Sequence, residues 1–149
     1  IGNTRSYYED PRFGLIALSE IASRALSPAI NDPGTAIAII NSNVKLFHLW
    51  FLNKDSNLKK VKYTRIEVPE IDASDIFEDA FRPIARDGAN NIEVMLRLQK
   101  AFKSIYSFAP EEVKGIVLEN AQYAFDRAEL SIEYKGDLEL LNNERLKYN

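Results

Sequence analysis

The residue types best suited to chemistry gather in the stretch RALSPAINDPGT, residues 24–35, where Arg24, Asn31, Asp32 and Thr35 offer a cation, an amide, a carboxylate and a hydroxyl within twelve positions. Two kinds of site can be built from them. An anion can sit on the amide-rich start of a helix opening at Pro33, with Arg24 nearby as its counter-charge. Alternatively, Arg24, Asn31 and Asp32 can converge with acids from a later helix into a small-molecule or hydrolytic site. The same stretch also reads as plain architecture: Pro28 stops one helix, Asp32 caps the next, and Pro33 fits its first turn. That reading leaves Arg24, Asn31 and Thr35 without an assigned duty, so a contact or ligand surface rests on them, together with Arg5 and Asp10 from the N-terminal region.

Other chemistry finds less support. The chain has one histidine and no cysteine, and it lacks the Glu-x-x-His arrangement of carboxylate-bridged metal bundles, so no metal or other cofactor is expected. His48 falls on the flank of a helix with Asn41 and Lys45, the setting of a surface histidine. Ser42 lies six residues before it and on another face, which is no arrangement for nucleophilic catalysis. Gly34 is isolated and makes no phosphate loop. Asp75, Glu78 and Asp79 crowd the start of a third helix, where acids complement the helix dipole. Asn43 is the polar residue expected to face the core, as a buried structural amide.

The elements that must position these groups are helical. Asp10-Pro11 opens the first, whose stripe is Leu15, Leu18, Ala22, Ala25 and Leu26, at the steps of three and four that a 3.6-residue period requires. Asp32-Pro33 opens the second, apolar at Ile37, Ile40, Val44, Phe47 and Phe51, with Ile39, Leu46, Leu49, Trp50 and Leu52 widening the face enough to place it in the middle of a bundle. Residues 61–68 (VKYTRIEV) have the β-branched, partly alternating character of a short strand or extended arm. Ser74 or Asp75 is expected to cap a third helix, kinked or divided at Pro83 and closed by Asp87-Gly88. Asn90 or Asn91 caps a fourth with the stripe Met95, Leu98, Phe102 and Ile105. Ala109-Pro110-Glu111-Glu112 begins a fifth, with Pro in the first turn, that runs until Gly136, and Asp137 caps a short charged helix over 138–147.

A chain of 149 residues, 46% hydrophobic and 28% charged, has the size and make-up of one globular domain. The expected fold is therefore all-α: five to six helices around a single core in one domain, 1–149, with at most one strand near 61–68. A net charge of -3 with scattered lysines and arginines argues against nucleic acid as a partner, which needs basic residues gathered on one face. Residues 36–52 are interrupted by Asn41, Ser42, Asn43, Lys45 and His48, short of a continuous apolar span, so no direct membrane insertion by this segment is expected. The chain opens at Ile1 without an initiator methionine, which points to a piece of a longer protein.

The run GNTRSYYEDPRFGLIALSEIASRALSPAINDPGTAI, through Arg5, Glu9-Asp10, Phe13-Gly14, the RALSP segment and Asn31-Asp32-Pro33, resembles an uncharacterised bacterial family of predicted integral membrane proteins. VPEIDASDIFEDAFRPIARDGANN is similar in pattern. Gly34 and Glu9 depart from the threonine and glutamine more usual there. The resemblance implies a C-terminal soluble region following several transmembrane segments of a protein in the bacterial inner membrane, with the cytoplasm as its expected side. The expected partners are that N-terminal membrane portion and a second copy of the chain. The expected role is non-enzymatic: docking, oligomerisation or regulation through the 24–35 loop.

Overall fold

The computed structural model describes residues 10–54 and 72–147. The strand expected near 61–68 and the candidate Arg5 lie outside these. The described residues form six helices and no strand: α1 Pro11–Ala25, α2 Pro33–Lys54, α3 Ala73–Asp87, α4 Ile92–Phe108, α5 Glu111–Glu129 and α6 Lys135–Glu144.

The start signals act largely as their chemistry requires. Asp10 accepts a hydrogen bond from the Phe13 amide at 3.2 Å and Asn91 one from Val94 at 3.1 Å, each satisfying a first-turn donor that has no partner within its helix. The third helix is capped differently from expectation. Asp72, rather than Ser74 or Asp75, is the N-cap, accepting from the Ser74 amide at 2.8 Å, because a carboxylate two residues upstream reaches the orphan donors first. Pro110 is the N-cap of α5 itself, one residue before the first turn. That helix ends at Glu129, not at Gly136, and Gly136 instead lies in the first turn of α6, which begins three residues earlier than the sequence suggests. Nor does Pro83 divide α3, which stays continuous to Asp87.

The helices share one core. α1 packs on α2 and α3, α3 on α5, and α4 on α2, α5 and α6. Phe47 of α2, Phe77 and Phe81 of α3 and Phe102 of α4 are fully buried at its centre. Ring centroids lie 4.3 Å apart for Phe47 and Phe77, and 5.0 Å for Phe81 and Phe102. These separations suit tilted and edge-on aromatic pairs. Gly88 lets α3 meet α4: a Cβ there would stand 2.8 Å from Val94 Cγ1 and 2.9 Å from the Ile84 carbonyl.

Two buried amides stitch the bundle. Asn43 faces the core as expected and donates to the Ala80 carbonyl at 3.1 Å, in the part of α3 where Pro83 removes a neighbouring backbone donor. Gln99, which the sequence reading passed over, donates to the Ala121 carbonyl at 2.8 Å and accepts from the Leu146 amide at 3.1 Å. It thereby fastens α4 to α5 and to the chain beyond α6.

The second helix is not in the middle. Its inward side, Ala36, Ile39, Ile40, Asn43, Phe47 and Phe51, is filled by α1 and α4, while Leu46, Leu49 and Leu52 are exposed. Apolar residues around most of a helix fix no neighbour for its second side; here no described element covers it. By length and composition, residues 33–53 also suffice to cross a membrane, with a mean hydropathy of 1.2, although polar residues interrupt the run.

Candidate functional site

The turn between α1 and α2 is built almost wholly from its own backbone. The Leu26 amide donates to Ala22 and that of Ser27 to Arg24, at 3.0 and 3.2 Å. The Ile30 and Asn31 amides both donate to the Ser27 carbonyl, at 3.0 and 2.8 Å, and the Asp32 amide turns back to the Ala25 carbonyl at 2.8 Å. Closing this circuit requires Asn31 to take φ 49, the left-handed region that asparagine tolerates better than most residues. Asn31 thus has a backbone duty that composition alone did not reveal.

Asp32 is consumed by the helix it opens. Its carboxylate accepts from the Thr35 amide at 3.1 Å and from the Thr35 hydroxyl at 2.5 Å. The Thr35 hydroxyl, then the amides of Thr35 and Gly34, hold the Asp32 pKa below the ordinary value of 3.8. Hydrogen bonds to the charged form favour it, which gives the direction. The amide-rich start of α2 is therefore filled by the chain's own carboxylate rather than left open to an external anion.

Arg24 behaves differently. The Ser27 hydroxyl, not the Arg24 guanidinium, bonds the end of α1, donating to the Arg24 carbonyl at 2.8 Å. The Arg24 side chain is exposed and makes no hydrogen bond or ion pair among the described residues. Of the six sequence candidates, Asp32 and Thr35 meet directly and Asn31 shapes the turn beside them. Asp10 caps the far end of α1, about 21 Å from Arg24 along a helix rising 1.5 Å per residue.

The acids of α3 serve another arginine. Arg12 donates to Asp79 at 2.7 Å and to Asp75 at 2.6 Å, fastening α1 to α3. Asp79 is the principal cause that raises the Arg12 pKa still further. Beyond it, a groove of about 720 Å³ between α1, α3 and α5 brings together Arg82, Arg86, Arg127 and Tyr123. The spacing Arg82 to Arg86 on α3 and Tyr123 to Arg127 on α5, one turn in each case, was the available signal for this cluster. Its charges are largely matched. Arg82 pairs with Glu78 at 2.7 Å and stands over the Tyr123 ring, Arg86 grips Asp87 at 2.6 and 2.9 Å, and Arg127 donates to the Tyr123 hydroxyl at 2.9 Å. The Arg86 guanidinium, helped by the nearby Ser23 hydroxyl against the cost of burial, lowers the Asp87 pKa.

A second cavity, about 620 Å³, lies where α2 ends against the start of α5, lined by His48, Phe51, Leu52, Phe108, Pro110 and Glu112. His48 is exposed, with its ring edge-on to Phe108 at 4.8 Å, as a surface histidine would be. No group of three or more metal-ligating side chains occurs among the described residues.

Residues 1–104 match a family described as predicted membrane protein (DUF2254). Uncharacterized proteins of Mycobacterium bovis and of two Mycobacterium tuberculosis strains are each 54% identical to the chain over 41 residues. That stretch is 28% of this chain but 8% of each relative, so the match spans less than a tenth of their length. No solved structure matches the chain.

Proposed function

Because the chain belongs to this family of predicted membrane proteins, we propose that it is a non-enzymatic helical docking domain, which regulates or stabilises a membrane-embedded part of the same protein by seating the 24–35 turn against it. The observation that carries this reading is the contrast within the turn. Its backbone is closed on itself and its carboxylate is used internally, yet its outer side presents Ile30, 52% exposed, and the uncommitted Arg24. A rigid turn with an apolar tip beside an arginine that pairs with no described residue suits a protein contact, since little ordering entropy remains to be lost on binding. The domain is then a single unit on the cytoplasmic side of the bacterial inner membrane.

The anion-binding or hydrolytic alternative would need the side chains of Arg24, Asn31 and Asp32 to converge on one pocket. Neither cavity described above includes them.

The test is a photo-crosslinking residue in place of Ile30 in the intact protein. Adducts to a bilayer-embedded segment are expected, and Arg24→Ala should weaken them while leaving the melting temperature unchanged. Docking is overturned if no such adduct forms. It also gives way to the ligand reading if a small anion raises the melting temperature of the parent protein but not of Arg24→Ala.

A further inference from the structure

We infer that the outward face of α2 lies along the surface of an anionic phospholipid bilayer, flat on it rather than through it; this rests on the reading that the domain works beside a membrane. Helical spacing places Ala38, Ser42, Lys45, Leu49 and Leu52 in one stripe, opposite the buried Ile40, Asn43, Phe47 and Phe51, with Leu46 on its flank. The three leucines are 43%, 54% and 61% exposed, in chain order. So much leucine facing water on one helix needs a partner.

Charge indicates which partner. Among the six helices only α2 contains no Asp or Glu, and the charged residue of its outward stripe is Lys45, in a chain of net charge -3. A lysine set among exposed leucines on a helix without acids lets an anionic headgroup meet the charge while the leucines enter the acyl boundary. A second copy is a poorer occupant. Two such stripes paired symmetrically about Lys45 would oppose like charges, and three half-exposed leucines fall well short of the roughly 800 Å² per partner of a stable protein interface.

The helix lies on the bilayer because its other side is engaged. Phe47 and Phe51 are packed in the core, and the Asn43 amide is committed to the Ala80 carbonyl. Crossing the bilayer would carry that amide into hydrocarbon and uncover the phenylalanine cluster. Only a third of the apolar window 33–53 is buried in the bundle, which leaves an outward side able to enter the interfacial layer without unfolding anything.

The chain's single tryptophan, Trp50, is half-buried on this helix beside Phe51 and serves as the probe. The full chain is mixed with vesicles of phosphatidylcholine alone, and of phosphatidylcholine with phosphatidylglycerol. Co-sedimentation with the anionic vesicles and a blue shift of Trp50 emission are expected, both reduced to the level seen with phosphatidylcholine alone at about 0.5 M salt, where screening shortens to a few ångströms. Leu49→Asp and Leu52→Asp should each weaken binding about tenfold or more, the factor expected when one leucine is no longer buried, with helix content and melting temperature unchanged. Lys45→Glu should remove the preference for anionic vesicles. Equal binding to both vesicle types, or indifference to the leucine variants, overturns the inference. So does a concentration-dependent dimer that the leucine variants abolish, which would identify a second copy as the occupant. If vesicles are not bound while the Ile30 adducts persist, the α2 inference falls and the docking reading stands; vesicle binding without those adducts gives the reverse.

Discussion

Gln99 shows how much one side chain decides in this molecule. It has no exposed surface, both ends of its amide are bonded, and its partners belong to α5 and to the segment after α6. Replacement by an apolar residue of similar size leaves the Leu146 amide without its acceptor. Gln99→Leu is therefore expected to lower stability by about 1–3 kcal/mol, the cost of stranding a buried polar group, read as a lower denaturant midpoint. Protection of the Leu146 amide from hydrogen exchange should fall alongside it. Asn43 is satisfied at one end only, since its Oδ1 has no hydrogen-bond partner. Its burial was legible because it interrupts an apolar stripe at core spacing. Gln99 lies between Leu98 and Phe102 on a stripe that was recognised, but a long polar side chain at such an edge looks exposed until its acceptor helix is in place.

At the scale of the element, the Asp-Pro junctions act as helix openings, and that much follows from local chemistry: a carboxylate reaches the third amide while proline fits a turn that needs no donor. The same capping makes α2 sensitive to acid. Hydrogen bonds from Thr35 lower the folded-state pKa of Asp32, so the unfolded chain binds the proton more readily. The stabilisation is complete above about 3.8, the ordinary aspartate value, and is lost as pH falls through the lower folded value. Asp87, held down chiefly by Arg86, acts in the same direction. Melting temperature is expected to fall with pH in that acidic window. Asp32→Asn, which still caps but does not titrate, should show a shallower fall, visible in thermal unfolding followed by circular dichroism from neutral pH down to about 3. Helix boundaries without a side-chain cap were placed less well. α5 stops at Glu129 and α6 starts at Lys135, displacing the junction from the glycine at 136, because packing of Ile132 and Leu141 into the core outweighs a local glycine signal.

For the whole molecule, the phenylalanine cluster joins α2, α3 and α4 into one core. Phe81 touches both the Phe47 and Phe102 rings, at 5.5 and 5.0 Å, and is 1% exposed. Phe81→Ala is expected to cost about 3–5 kcal/mol, and the loss should appear at one denaturant midpoint for helix content and for Trp50 fluorescence alike, since both report the same core. Separate midpoints would show that α2 melts independently of the rest.

The sequence by itself determined that the chain is helical, where four of the six helices open to within a residue or two, and which phenylalanines and leucines form the inner stripes. Periodicity and capping act within a few residues, so they can be read from neighbours along the chain. Only the tertiary structure decided that Asp75 and Asp79 hold Arg12 rather than facing the 24–35 turn, that Gln99 ties three segments together, and that Leu46, Leu49 and Leu52 remain outside. Those outcomes depend on which helix lies beside which. An apolar side chain records that it is better covered than wet, but not which element will cover it.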